Sequence, residues 1–362
     1  MKSRLVGIII LVVVVIGAIV AYVATRNPQG LLGPVKQVAL QIYAGSEKAN
    51  LLDDQEFKDL LSRNFGIQVK YAKAGSQEMM RLDHTSYGGL WPSSALALDL
   101  YRGLQNGAAV KNENVFNSPL VIYTWDKVVD VLSKKGLVTA QTGGWFTLDL
   151  KTLVPLLVKK TSWASLGLPA LYGDANLIAT DPARSNSGLL FAALAATVLA
   201  GATPSDQTDP KIWAQVRQLY RSMGHLEYST GVLFEQYMTQ GIGSFPMMVG
   251  YENQLIEFAV SNPDLWNKLK SRIRILYPVP TVWSAHPFIS LDADGTIMMQ
   301  ALLDPKVQEL AWKRHGFRSG IPATISDPAS LGVTGLAPEV TQVVPLPSSQ
   351  VMEAFVADFN QP

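Results

Sequence analysis

The sequence predicts an α/β fold with mostly parallel sheets. Three observations lead to this expectation. Strands and helices alternate along the chain, most strands end at a turn that contains Ser, and the 362 residues suit about two domains. In parallel sheets of this kind, ligands bind outside the carboxyl ends of the strands. The Ser-bearing turns are therefore the first places in which to look for a ligand site.

Composition excludes several classes of partner and site. The chain has 30 basic and 29 acidic residues, a net charge of +1, so nothing indicates binding to nucleic acid. It has no cysteine, which rules out disulfides, thiolate metal sites and a lipid-modified N-terminal cysteine.

The N-terminal sequence predicts a membrane-spanning segment. Lys2 and Arg4 precede the unbroken apolar run Leu5–Val23, which as a helix spans about 28 Å, close to the thickness of the bilayer hydrocarbon. We expect 1–26 to form a cytoplasmic start and an anchor that contacts the lipid bilayer, followed by a linker at 27–36. The alternative is a cleaved signal peptide, whose apolar region usually has about 7–15 residues. The positive-inside rule places the main domain outside the cytoplasm.

The first elements form repeated strand, Gly-Ser and helix units. The run 35–43 predicts a strand that ends at Gly45-Ser46, and 67–72 predicts a second strand that ends at Gly75-Ser76, each followed by a helix start. Further strands are predicted at 87–91, 119–124, 245–251 and 272–277, and apolar alternation resumes after Pro287 in FISLDAD, 288–294. Further helices are predicted at 95–101, 125–136, 148–159, 189–199, 210–223, 230–239, 252–260, 305–315 and 348–359.

The stretch Asn176–Leu194 combines a predicted strand at 176–180, a turn of small polar residues and an apolar helix. Ser185-Asn186-Ser187-Gly188 stands where that helix begins. Ser and Asn cap the free N–H groups of a first turn, and those groups carry the positive end of the helix dipole. Such a turn can hold an anion or another polar ligand, although plain capping without a ligand is the common alternative.

Several motifs, taken in order, resemble those of one family. They are YAGSEK, AGSQEMMRL, YGGLWPSS, FNSPLVIYTWDKV, TDPARSNSGL and VGYENQ. From about Val38 to the C-terminus, the chain resembles extracytoplasmic solute-binding proteins of the type 2 periplasmic class, such as the molybdate, phosphate and iron receptors of ABC-type importers. The resemblance implies two three-layer α/β lobes joined by two crossover strands, with lobe 1 at 37–118 and 281–362 and lobe 2 at 119–280.

The resemblance also implies a ligand site between the lobes, formed by hydroxyl groups and by N–H groups at helix starts. The expected ligand-binding residues are Ser46, Ser76 and Ser118 at first-lobe and crossover positions, Ser185, Asn186 and Ser187 in the second-lobe turn, and Tyr251 and Glu252 at a strand end. A ligand that contacts both lobes stabilises the closed state.

Two charged residues leave the ligand class open. Glu252 would pair with a donor on the ligand, such as a protonated oxyanion, an ammonium or a metal ion, or it is a solvated residue favoured by its helix dipole. Arg184 is either a counter-ion of the ligand or a surface residue beside the turn.

No constellation of residues indicates an enzyme. The chain has no G-x-S-x-G motif, its four histidines stand far apart, and we expect neither a catalytic residue nor a bound metal or cofactor. The leading hypothesis is a membrane-tethered receptor that presents a small polar solute to a membrane permease. The alternative is an anchored scaffold or signalling module with a vestigial or protein-binding cleft.

Overall fold

The computed structural model describes residues 37–105, 110–321 and 326–360. The predicted anchor Leu5–Val23 and the linker 27–36 lie outside these residues. Within the described ranges, no helix is both long enough and apolar enough to cross a bilayer.

The chain forms ten strands and fourteen α-helices in the described ranges. The strands are β1 Val38–Ala44, β2 Ile67–Lys73, β3 Gly89–Trp91, β4 Asn112–Trp125, β5 Val138–Ala140, β6 Phe146–Asp149, β7 Met247–Tyr251, β8 Ile273–Val279, β9 Trp283–Ser290 and β10 Arg318–Ser319. The first seven helices are α1 Ala49–Asp53, α2 Gln55–Leu60, α3 Ala95–Leu104, α4 Asp126–Lys134, α5 Leu150–Val158, α6 Trp163–Leu166 and α7 Asn186–Ala200. The others are α8 Pro210–Ser222, α9 Thr230–Gln240, α10 Glu252–Ser261, α11 Pro263–Leu269, α12 Ala293–Leu302, α13 Pro305–His315 and α14 Ser349–Phe359.

One strand, β4, belongs to two sheets. Its first half pairs with β9 and β10, and its second half pairs with β7 and β8. The complete strand order is β2-β1-β3-β9-β4-β8-β6-β5, with β7 and β10 also paired to β4. We use lobe 1 for the sheet that contains β1, β2, β3 and β9 with its helices, and lobe 2 for the sheet that contains β5 to β8 with its helices.

The expectation of mostly parallel sheets is wrong. Only the pairs β1–β2, β1–β3 and β6–β8 are parallel, and the other six pairs are antiparallel. The reason is that β4, which passes from one sheet to the other, runs antiparallel to all four of its neighbours, β9 also runs antiparallel to β3, and β5 and β6 form a hairpin. The three parallel strands of lobe 1 nevertheless end at the same edge of their sheet, as the sequence predicts.

Two local predictions fail. The run 176–180 is not a strand and makes only a bridge between Ile178 and Met248, although Leu177, Ile178 and Ala179 are buried. An apolar run can therefore be buried without forming a continuous series of backbone hydrogen bonds to a neighbouring strand. The segment after Ser76 forms only a short 3₁₀ turn, Glu78–Met80, instead of a longer helix.

The C-terminal helix α14 lies across both lobes. On the lobe 1 side, Asp99 accepts a hydrogen bond from the backbone N–H of Ser349 at 3.1 Å, and Arg81 forms an ion pair with Glu353. On the lobe 2 side, Phe355 packs against Trp213, with ring centroids 5.0 Å apart. The predicted boundaries assign 281–362 to lobe 1, whereas this last helix contacts both lobes. The division of the chain into lobe 1 at 37–118 and 281–362 and lobe 2 at 119–280 stays a prediction.

The first turn of α7 packs directly on the chain that precedes it. A Cβ atom at Gly188 would lie 2.2 Å from the carbonyl oxygen of Thr180, so only glycine permits this approach. Tyr220 adds a hydrogen bond of 2.6 Å to the carbonyl oxygen of Gly188. These contacts fix the position of the start of α7.

We expect Gly188→Ala to lower the free energy of unfolding by about 1–3 kcal/mol, because the added methyl group forces backbone apart in a packed region. The matched control is Gly103→Ala in α3, where a Cβ would meet nothing within 4 Å. That change should be neutral or stabilising by up to about 1 kcal/mol. Urea unfolding followed by far-UV circular dichroism measures the stability of both variants. Equal losses of stability at the two glycines would contradict the conclusion that the close packing at Gly188 requires glycine.

Candidate functional site: a cleft between the lobes

A cleft of about 480 Å³ lies between the two lobes. Five of the eight predicted ligand-binding residues line it, namely Ser46, Ser76, Ser185, Asn186 and Tyr251. Residues that the sequence analysis did not assign to the site also line it, among them Glu47, Lys73, Glu78, Tyr228, Ser229 and Thr230. The sequence contained a signal for Ser229, since a serine directly before an apolar helix is the same pattern that points to Ser185.

Lobe 1 supplies its share of the cleft from the ends of parallel strands. β1 leads into Gly45-Ser46-Glu47, and β2 leads into Ala74-Gly75-Ser76. β3 leads to Ser93, whose backbone N–H donates to Ser76 Oγ at 2.9 Å. Ser76 is therefore engaged with the protein itself, whereas Ser46 is exposed.

Lobe 2 supplies two helix starts. Ser185 stands at the N-cap of α7 and Ser229 at the N-cap of α9, and neither side chain makes a capping hydrogen bond. The N–H groups of both first turns therefore lack the side-chain acceptor that a capping serine usually provides. Two helix dipoles thus place partial positive charge at this wall of the cleft.

Arg184 is the cation of the lobe 2 wall. Its guanidinium lies 3.5 Å from the ring centroid of Tyr228, which is close enough for a cation–π interaction. No described carboxylate forms an ion pair with it. The stacking holds a positive charge at the cleft without neutralising it.

A compact polar cluster forms the floor on the lobe 1 side. Lys48 is fully buried, and it donates to Ser93 Oγ at 2.7 Å and to Oε1 of Glu47. Ser93 Oγ donates to the same Glu47 oxygen. Burial lowers the pKa of Lys48, and the charge of Glu47 beside it acts in the opposite direction.

Behind this floor, His286 is buried without a hydrogen-bond partner in the described residues. Its Nδ1 lies 3.8 Å from Glu47 Oε1. Burial, together with the positive charge of Lys48, holds the pKa of His286 well below its ordinary value of 6.5. The imidazole is therefore neutral in the folded protein at neutral pH.

Asn186 joins the lobes across the cleft. Its Nδ2 donates to the carbonyl oxygen of Ser93 at 2.6 Å in lobe 1 and to the hydroxyl of Tyr251 at 2.9 Å in lobe 2. The carbonyl of Ser93 can only accept, so it fixes which end of the amide is the nitrogen. Burial raises the pKa of Tyr251, which is a neutral phenol here.

Three predicted site residues lie elsewhere. Ser187 points into the protein, where its Oγ is 2.7 Å from Thr180 Oγ1 and 2.5 Å from Thr230 Oγ1. Ser118 is buried in β4 opposite Ser284 and does not line the cleft.

Glu252 is neither a ligand group of the cleft nor a solvated residue. It is fully buried, and its two oxygens accept from Nε and Nη2 of Arg318 at 2.6 and 2.8 Å. Tyr277 donates a further hydrogen bond to it. The sequence predicts that Glu252 either pairs with a donor on the ligand or is solvated, and both interpretations are wrong. Its partner, Arg318 of β10, lies 66 positions further along the chain, so no local pattern could indicate the pair.

The described residues contain no group of three or more His, Cys, Asp or Glu side chains arranged to hold a metal ion.

The fold resembles that of known solute-binding proteins. Iron-bound HitA from Pseudomonas aeruginosa matches with a TM-score of 0.56 at 13% identity, over 90% of this chain and 100% of that one. The ferric binding protein from Campylobacter jejuni matches with a TM-score of 0.57 at 10% identity, over 89% and 99%. The sulfate-binding protein SubI from Mycobacterium tuberculosis H37Rv matches with a TM-score of 0.50 at 14% identity, over 89% and 96%.

No protein-family model and no curated protein sequence matches the chain. The structural matches establish the fold alone. The chain has the two-lobed α/β fold of type 2 periplasmic solute-binding proteins, which confirms the fold that the sequence resemblance implies.

We expect Arg318→Met to lower the free energy of unfolding by about 3–5 kcal/mol, because it leaves the carboxylate of Glu252 buried without its cation. The control is Arg63→Met, which removes an exposed pair with Asp59 and should stay within about 1 kcal/mol of the wild type. Urea unfolding measures both. Adding Glu252→Gln to Arg318→Met should recover part of the loss, and a further loss in the double variant would contradict the pairing.

The low pKa of His286 predicts a pH dependence. Below pH 6.5 the unfolded chain binds a proton at this imidazole and the folded chain does not, so stability falls as pH decreases. One such group contributes up to about 1.4 kcal/mol per pH unit. In urea unfolding at pH 7.5, 6 and 5, His286→Gln should show a shallower loss than the wild type, whereas His225→Gln, at an exposed position, should follow the wild type. Parallel curves for His286→Gln and the wild type would refute the prediction.

Proposed function

We propose that the chain is a membrane-tethered extracytoplasmic receptor that binds a small polar solute between its lobes and delivers it to a membrane permease. It performs no chemistry on the solute. The observation that carries this proposal is the cleft itself, to which both lobes contribute hydroxyl, amide and charged groups. A solute that contacts both walls favours the closed arrangement, which is the requirement for a ligand-driven hinge.

The chemistry of the lining supports a polar solute. Backbone N–H groups at two helix starts, the hydroxyls of Ser46 and Ser185 and the guanidinium of Arg184 can each donate hydrogen bonds. The volume of about 480 Å³ falls in the range of small-molecule pockets, which is about 300–1,000 Å³. Iron-bound HitA and the sulfate-binding protein SubI, which have a similar fold, bind small inorganic ions.

The membrane connection rests on the apolar run Leu5–Val23, which is long enough to span a bilayer as a helix. An anchor there holds the receptor next to a membrane partner. The substrate binding protein of an ABC transporter from Agrobacterium tumefaciens has a similar fold, with a TM-score of 0.55 at 13% identity, and this likeness supports a permease as that partner.

The second candidate is a scaffold or signalling module with the same fold. The hydrogen bond from Asn186 to Ser93 favours it, since it joins the lobes without any solute.

A thermal-shift screen distinguishes the two candidates. The full chain, kept in detergent because of its apolar N-terminus, is heated with oxyanions, carboxylates, amino acids, amines and ferric citrate. A solute at about 100 times its dissociation constant adds about 2.7 kcal/mol of stability. Arg184→Gln should weaken binding of the solute that is found, whereas Arg221→Gln, an exposed arginine of α8 outside the cleft, should not. A screen in which no solute raises the Tm contradicts the receptor proposal and favours the scaffold.

A further inference from the structure

We propose that the solute is a small zwitterion, with a primary ammonium held by lobe 1 and the floor of the cleft and an oxyanion group held by lobe 2. This inference rests on the proposed function and names its ligand class. It follows from the distribution of charged and unpaired groups around the cleft. The carboxylates of Glu47 and Glu78 lie on the lobe 1 wall, the guanidinium of Arg184 lies on the lobe 2 wall, and the unpaired amide oxygen belongs to Asn186, which bonds to both lobes.

Asn186, at the start of α7, contributes an acceptor that lacks a donor. Asn186 uses its Nδ2 for Ser93 and Tyr251, and its Oδ1 is a buried atom with no hydrogen-bond partner in the described residues. Because both contacts fix the amide, Oδ1 cannot rotate away to find water. A buried acceptor left unpaired is costly, so this position calls for a donor from the bound solute.

Glu47 offers a second acceptor beside it. Lys48 and Ser93 both donate to Oε1, and Oε2 receives no hydrogen bond from any described residue. The side chain is 12% exposed and lines the cleft, so Oε2 is reachable by a solute. Lys48 and Ser93 hold the carboxylate in place from behind, which prepares the free oxygen for a ligand N–H group.

Glu78 adds negative charge to the same wall. It lines the cleft and accepts from the backbone N–H of Gly75 at 3.1 Å, and no described cation forms an ion pair with it. Lys73 also lines the lobe 1 side, at the end of β2, and is exposed. The buried ammonium of Lys48 pairs with Glu47, so Glu78 is the carboxylate of this wall that has no ion-pair partner among the described residues.

The opposite wall has the reverse character. Arg184 forms no ion pair with a described carboxylate, and the starts of α7 and α9, which have no side-chain cap, line the same cleft. Helix starts and a guanidinium are donors suited to carboxylate, sulfonate or phosphonate oxygens.

Neither a simple anion nor a simple cation satisfies both walls. A sulfate ion pairs with Arg184 and leaves the acceptors of Glu47 and Asn186 unfilled, whereas a simple amine fills these acceptors and leaves Arg184 unpaired. A solute with both groups on a short chain satisfies the two sets at once. Its two ends contact different lobes, which also supplies the differential contact that closure requires.

Isothermal titration calorimetry on the full chain tests the inference with matched probes. The zwitterions are β-alanine, taurine and 2-aminoethylphosphonate, the acids are propionate, ethanesulfonate and ethylphosphonate, and the amine is ethylamine. At least one zwitterion should bind about tenfold or more tightly than its acid analogue and than ethylamine, since each half adds a charged hydrogen bond.

Two substitutions should reduce the preference for the zwitterion over its acid analogue. Glu78→Gln and Glu47→Gln should each weaken the zwitterion by about tenfold and leave the acid analogue nearly unchanged, whereas Arg184→Gln should weaken both. Glu235→Gln, an exposed carboxylate of α9 outside the cleft, is the matched control and should bind as the wild type does. If Glu47→Gln does not fold, the exposed Glu78 carries this test.

Other outcomes overturn the inference. Equal affinity for an acid analogue, sulfate or phosphate would mean a simple anion site and would leave the receptor proposal standing. So would the binding of another solute of the thermal-shift screen when no zwitterion binds. Failure of every solute in both experiments would overturn the zwitterion and the receptor together.

Discussion

The structure depends on one constraint, which is that a single strand completes two sheets. β4 is 14 residues long, and its last six side chains, 120–125, are buried. Away from water each backbone group needs a partner, and β7 and β8 supply partners on both sides of that half. The change from one sheet to the other falls at Ser118 and Pro119, where the pairing with β9 ends and proline offers no N–H. Because the strand is shared, the strand ends of lobe 1 and the helix starts of lobe 2 meet at one cleft.

The sequence predicts the site where a local pattern decides the geometry. Ser46, Ser76 and Ser185 follow a strand or precede a helix, and the cleft lies at those positions. A prediction from sequence fails where neighbouring side chains at one helix start can face either the cleft or the protein core. Ser187 is only two residues from Ser185, yet it bonds inward to Thr180 and Thr230. The partner of Glu252 is distant in sequence, so its burial cannot be derived from its surroundings.

The sequence predicts the fold in the same way. Long elements with clear periodicity are found, and α13 has the predicted bounds of 305–315. The hairpin of β5 and β6 and the first half of β4 are not found, because short strands without strong alternation give little signal. The run 176–180 has the composition of a strand, but tertiary packing gives it one bridge and no ladder. The sequence also does not indicate whether two strands pair in parallel or antiparallel, because this depends on how the chain passes from one lobe to the other and back.

The position of α14 affects how the molecule can move. Its contacts with lobe 1 include an ion pair between Arg81 and Glu353, whose side chains are 49% and 41% exposed, and such pairs contribute little. Its contacts with lobe 2 include the packing of Phe355 on Trp213, which withstands salt better. The lobe 2 side also includes an ion pair, between Arg217 and Asp358. Because one helix carries contacts to both lobes, a separation of the lobes has to break one of these two sets of contacts.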